Sequence, residues 1–109
     1  MLKREYRLNT VSLRSPRSFS TPYFNLKVAK NNLEVNRFGF VFSKRIDKRA
    51  TVRNSLKRKI RGVIEEMFDK INIGNDFVFY PKQTAIIATR NEIHGEIKNL
   101  FEKNQFLKI

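Results

Sequence analysis

The chain has 109 residues, enough for one domain with a single core. Lysine and arginine total 23 against 10 acids, and the net charge of +13 selects a polyanionic partner, most often nucleic acid, otherwise an anionic membrane surface. With no cysteine and one histidine, His94, the composition excludes disulfides, thiolate metal sites and an ordinary catalytic triad.

At the start, MLKREYRLN lacks the apolar run of a signal peptide, and nowhere does an apolar run approach about 18 residues. A soluble, cytoplasmic protein with no membrane association is expected. Residues 1–22 are basic and contain Pro16 and Pro22. Leu8, Val11 and Leu13 are spaced for a short helical turn that Pro16 stops, so this segment is expected to be an arm lying over a core formed by residues 23–109. Residues 23–30 alternate as a strand, with Phe24, Leu26 and Val28 on one face and Tyr23, Asn25 and Lys27 on the other. Asn31-Asn32 marks a turn, and residues 35–44 form a second strand region. Phe38, Phe40 and Phe42 share one face of it. Such a row either stacks nucleobases or packs a sheet against a helix, and the amphipathic helix that follows at once favours the core. The opposite face, with Gly39 and Ser43 small and Tyr23, Asn25 and Lys27 polar, is open to a strand of nucleic acid.

The chain is organised around residues 43–71. From Val52 the apolar residues Leu56, Ile60, Val63, Ile64, Met67, Phe68 and Ile71 follow helical steps, tracing a stripe from roughly 0° to 160° on a helical wheel. Arg53, Lys57 and Arg61 fall at about 100°, 140° and 180°, a row of cations along one flank. Cations crowd the N-terminal half, while Glu65, Glu66 and Asp69 lie in the C-terminal half, so both choices oppose the helix dipole. Repulsion between Arg53 and Lys57, and between Lys57 and Arg61, adds to the cost. A solvated charged face would tolerate this pattern; an anionic ligand laid along the first turns explains it. Lys44, Arg45, Lys48 and Arg49 extend the cluster into the preceding loop, with Asp47 its only acid, and Asn54 adds an amide that can meet a base edge or a 2′-hydroxyl.

The helix stops near Asn72-Ile73-Gly74-Asn75-Asp76, with Asp76 expected in a turn. Residues 77–80 read as a buried strand closed by Pro81, and residues 85–88 are apolar and ambiguous. Thr89 and Glu92 form a capping box that opens a last helix burying Ile93, Ile97, Leu100 and Phe101. The expected fold class is an α/β (α+β) two-layer sandwich: a mixed sheet of about four strands with the long helix in a βαβ crossover. Its flanking strands are parallel if they are neighbours.

Protein-borne chemistry is scarce. Glu65 and Asp69 stand one turn apart, but Arg61 and Lys70 offer them ordinary ion pairs. His94 reads as a surface residue, and no phosphate-binding glycine loop is present. A DNA-binding helix-turn-helix needs a break that only Gly62 could supply, yet the apolar stripe runs through it, so DNA is not expected as a partner.

Ser43-Lys44-Arg45 followed by Arg53-Asn54-Ser55-Leu56-Lys57-Arg58-Lys59-Ile60-Arg61 resembles the signature of the bacterial ribonuclease P protein family. Gly39, Asp76-Phe77-Val78 and Leu100-Phe101 match its flanks, and the resemblance covers about residues 24–104. It implies an α/β sandwich similar to a ribosomal-protein domain, with a left-handed crossover. It also implies a role in removing 5′ leaders from precursor tRNA, with catalysis in an RNA subunit. By the same resemblance, Lys44, Arg45, Lys48, Arg49, Arg53, Asn54, Lys57, Arg58 and Arg61 face RNA, and Tyr23, Asn25, Lys27 and Ser43 are candidates for a leader cleft. The implied partners are the catalytic RNA subunit and precursor tRNA. No cofactor is expected on the protein alone, and Mg²⁺ is expected with the RNA. The alternative is a non-catalytic ribosomal or RNA-chaperone protein using the same helix. Two departures stand out. Ser55 occupies the place of the family's second arginine, with Lys59 as a candidate replacement. The N-terminal segment lacks the family's two-phenylalanine first helix, for which Phe19 is the nearest substitute.

Overall fold

In a computed structural model, which describes residues 3–8 and 13–108, the order of elements is β1 (Arg17–Ser20), β2 (Phe24–Lys30), β3 (Arg37–Phe40), α1 (Ala50–Met67), β4 (Asn75–Pro81), α2 (Thr84–Ile87) and α3 (Arg90–Lys103). The sheet order is β1-β2-β4-β3. β2 runs antiparallel to both β1 and β4, whereas β3 and β4, joined through α1, are parallel neighbours. This is the mixed four-stranded α+β architecture that the sequence pattern anticipates.

Alternation decides the two faces. Leu26 pairs with Phe79 and Val28 with Phe77, while Phe38 and Phe40 align with Phe77 and Phe79 from the other side. These side chains form one apolar face, and α1 and α3 close over it with Leu56, Ile60, Val63, Ile64, Ile93, Ile97 and Phe101. The phenylalanine row is core: Phe38 is buried and stacks on Phe77 at 5.1 Å, and Phe40 lies between Phe42 and Phe79. Thr89 and Glu92 exchange the two bonds of a capping box, Thr89 N–H to Glu92 Oε1 at 3.0 Å and Glu92 N–H to Thr89 Oγ1 at 3.1 Å. Gly74, at φ +98°, supplies the left-handed turn between α1 and β4.

Several expectations are corrected. Part of the presumed arm is sheet, because residues 17–20 form the edge strand β1. The helical turn expected over Leu8, Val11 and Leu13 falls mostly on positions outside the described residues; ahead of it the chain makes a 3-10 turn at Arg4–Tyr6 and then runs extended along β3, with Leu8 N–H donating to Phe38 O at 2.9 Å. Val11 lies outside the described residues. The second strand is confined to Arg37–Phe40, and the helix changes to a 3-10 turn at Phe68–Lys70. Asp76 sits within β4 rather than in a turn, buried and gripped by Arg37 through two bonds of 2.8 Å. Among the described residues no helix is long and apolar enough to cross a membrane.

Candidate nucleic-acid interface

The loop between β3 and α1 is tied down by one apolar residue and one acid. Ile46 is buried, and its N–H donates to Ser43 O at 3.1 Å, closing a turn. Asp47 Oδ1 accepts the Arg49 N–H at 2.8 Å, and its carboxylate takes two further bonds from the Arg49 guanidinium at 3.1 and 3.0 Å. Arg53 donates to the Asp47 carbonyl at 3.2 Å. The Arg49 side chain, then its N–H, hold the Asp47 carboxyl down at about 2. The lone acid of the cluster therefore shapes the loop that leads into α1. No side chain caps the first turn of α1, which also has no acid, so at its positive dipole end the only carboxylate among the described residues is that of Asp47, held by Arg49.

Along α1 the cations divide by angle. Arg53, Lys57 and Arg61 lie half-buried on the flank nearest β3, whereas Arg58 and Asn54 point outward and are exposed. Lys57 and Arg61 line a cleft of about 130 Å³ with Phe38, Gly39, Phe40, Leu8 and Arg7. A Cβ on Gly39 would stand 3.3 Å from both the Leu8 Cβ and its carbonyl oxygen, so glycine permits the N-terminal segment to lie this close. Lys44, Arg45, Lys48 and Arg49 are exposed in the loop, although Arg49 is already paired with Asp47.

Lys59 departs from this group. Its ammonium donates to the carbonyls of Ala85, Ile86 and Ala88 at 3.1, 3.1 and 2.8 Å, closing the C-terminal end of α2. All three donors are occupied. It cannot stand in for the arginine that Ser55 replaces without giving up that cap; Ser55 itself is exposed.

The four candidates for a leader cleft do not stay together. Asn25 and Lys27 lie on the sheet face away from the helices and line a shallow concavity with Ser18 and Ser20 of β1. The Lys27 ammonium rests 5.5 Å from the centre of the Tyr80 ring. Tyr23 instead packs against the core, and its hydroxyl donates to Glu92 Oε2 at 3.1 Å, an interaction that raises the phenol's pKa. Ser43 is exposed in the turn before Ile46. Phe19, the nearest substitute for an aromatic cleft wall, turns to the helix side and meets Phe106 edge-on at 5.8 Å.

Sequence reasoning missed Arg7, Ser18, Ser20 and Tyr80. Strand alternation could have found Tyr80, two residues from Val78 on the outer face. Arg7 reaches the Lys57 and Arg61 flank only through a bridge across more than thirty positions of chain, Arg7 to Phe38, which carries no local signal.

The chain is similar to known proteins in sequence and in fold. The family model described as Ribonuclease P matches residues 1–105. Over 79 residues the chain is 30% identical to the ribonuclease P protein component of a Cyanothece species, covering 72% of this chain and 60% of that relative. It is 33% identical over 88 residues to the ribonuclease P protein component of Clostridioides difficile, covering 80% of this chain and 76% of that one. The match thus takes in three fifths of the cyanobacterial relative's length. Among solved structures, the RNase P protein from Thermotoga maritima superposes with a TM-score of 0.74 at 25% identity, over 82% of this chain and 84% of that chain.

Proposed function

The chain belongs to the ribonuclease P protein family, and from that premise we propose that it is the protein subunit of a ribonucleoprotein that removes the 5′ leader from precursor tRNA. The observation that carries this reading is the α1 flank: Arg53, Lys57 and Arg61 form a row that starts at the uncapped, dipole-positive helix end and runs along the helix, with Arg7 and the basic loop beside it. Phosphates gain there from fixed cations and from the helix dipole together. The protein's role is to bind the catalytic RNA and hold the substrate. The RNA brings the Mg²⁺ ions and the hydrolytic chemistry.

In this division of labour Lys57, Arg58 and Arg61 contact the catalytic RNA. Asn25 and Lys27, with Ser18, Ser20 and Tyr80, form the surface offered to the single-stranded leader. The test is reconstitution with the cognate RNA subunit. Addition of the protein should permit leader cleavage at Mg²⁺ concentrations where the RNA alone is inactive. Binding of structured RNA with no gain in cleavage would assign the chain to a non-catalytic, chaperone-like role instead.

A further inference from the structure

At the edge of the sheet opposite to α1's cationic flank, a cleft of about 670 Å³ opens between β1, the end of β2 and the C-terminal end of α3. Arg14, Arg17 and Lys30 stand around it, all exposed, and none of its lining residues is acidic. Arg17 has a local explanation: it donates to Asn104 Oδ1 at 3.3 Å beside the negative end of the α3 dipole. Arg14 and Lys30 have no ion pair among the described residues, and they share one concavity with a third cation, Arg17.

The cleft also sets an arginine against aromatic rings. The Arg17 guanidinium lies 5.2 Å from the ring centre of Phe19 and 5.4 Å from that of Phe106, two rings that meet edge-on, and Arg17 is exposed. An exposed guanidinium seated beside aromatic rings offers a plane on which a nucleobase can stack. The amide side chains of Asn104 and Gln105 stand at the rim and can both donate to and accept from a base edge.

We propose that this cleft is a second RNA subsite that takes one unpaired nucleotide, its phosphate on Arg14 and Lys30 and its base on the Arg17 platform. The inference rests on the RNA-binding reading above but places the contact elsewhere. The strand order sets it three strand spacings, roughly 14 Å, across the sheet from β3. RNA that reaches both sites must wrap the β1 end of the domain as well as lie along α1. A carboxylate-bearing peptide would use the cations but not the stacking plane, so RNA is the better fit.

The test compares the full chain with the Arg14→Gln/Lys30→Gln variant and with a control, Lys98→Gln, an exposed cation on α3 that lies outside this cleft. The probes are precursor tRNA and a short single-stranded RNA containing 4-thiouridine. The double variant should keep its thermal midpoint, bind precursor tRNA roughly tenfold more weakly at low salt, and show a log–log salt slope smaller by about one to two. The control should shift far less. Photocrosslinks should fall on Arg17 and on the residues around Asn104. If the double variant behaves like the control and no crosslink falls in the cleft, the subsite is overturned while the α1 interface stands. If the unmodified chain binds neither RNA, both readings fall. If polyglutamate binds at the cleft and RNA does not, the site is a protein-docking surface and the proposal is wrong.

Discussion

A lysine that has spent all three of its donors on carbonyl groups is a structural residue, whatever charge run it stands in. Lys59 does this at the end of α2. Lys59→Met should leave those carbonyls poorly satisfied and cost roughly 1–3 kcal/mol of stability, with the salt slope of RNA binding unchanged. Lys57→Met should do the opposite: little change in melting temperature and a slope smaller by about one. Denaturant melts and salt titrations on the two variants separate the roles, and equal effects would refute the division of α1 into two flanks. Asp47 offers a pH test. Its carboxyl lies near about 2 when folded against an ordinary 3.8. A group depressed on folding adds stability that is complete above the unfolded value and is lost as pH falls through the folded one. The wild type should therefore lose melting temperature between about pH 4 and pH 2 more steeply than Asp47→Asn, which should already be less stable at neutral pH. Parallel curves would mean that the Asp47–Arg49 pair is not kept in solution.

At the scale of the element, α1 carries two functions on one cylinder. Leu56 and Ile60 are buried at 2% and 0% exposure, and truncation of either to alanine should cost about 2–5 kcal/mol while leaving RNA contacts intact in the folded fraction. Arg58→Ala and Arg61→Ala should weaken RNA binding and hold or slightly raise the melting temperature, because repulsion along the helix is relieved. Thermal melts beside binding isotherms check both halves, and an unfolded Arg58→Ala chain would remove that face from the interface. Ser55 is exposed and Lys59 is committed to α2, so Ser55→Arg adds a phosphate contact without competing for one. It should tighten binding to the RNA subunit by roughly 1 kcal/mol at low salt, shrinking as salt rises. An affinity that does not move places position 55 away from the RNA.

For the whole molecule, periodicity carried the strands β2 and β4, the long helix, the capped last helix and the core face. These are the features in which local pattern and tertiary packing agree. β1 was not legible, because RSFS holds a single apolar residue, Phe19, and an edge strand is specified mainly by the neighbour it pairs with. The cationic flank of α1 could be read from a wheel, and so could the separation of Lys59, which falls at about 340° on the far side of the apolar stripe from Lys57. The leader-cleft set was harder. Alternation correctly puts Asn25 and Lys27 on the outer face, but Tyr23 lies just ahead of the strand, and a partner 69 positions away, Glu92, draws its hydroxyl to the helix layer. Asp76 was misplaced for a similar reason: its partner Arg37 is 39 positions distant.

The sheet order has a consequence for how the chain comes to be folded. β4 stands between β2 and β3, and its Phe77, Val78 and Phe79 have no exposed surface, yet it lies in the last third of the chain. As the polypeptide leaves the ribosome, β1, β2, β3 and the whole of α1 emerge before the strand that joins them. Until residue 81 is free of the exit tunnel, the apolar stripe of α1 has no completed floor, and its cations repel one another without the packing that outweighs them. Folding should therefore be late and all-or-none rather than progressive from the N-terminus. A chain ending at residue 74 should show no cooperative thermal transition by circular dichroism, and one ending at residue 108 should show a single sharp one. A cooperative melt in the shorter chain would mean that β1, β2 and α1 already make a stable unit without the central strand.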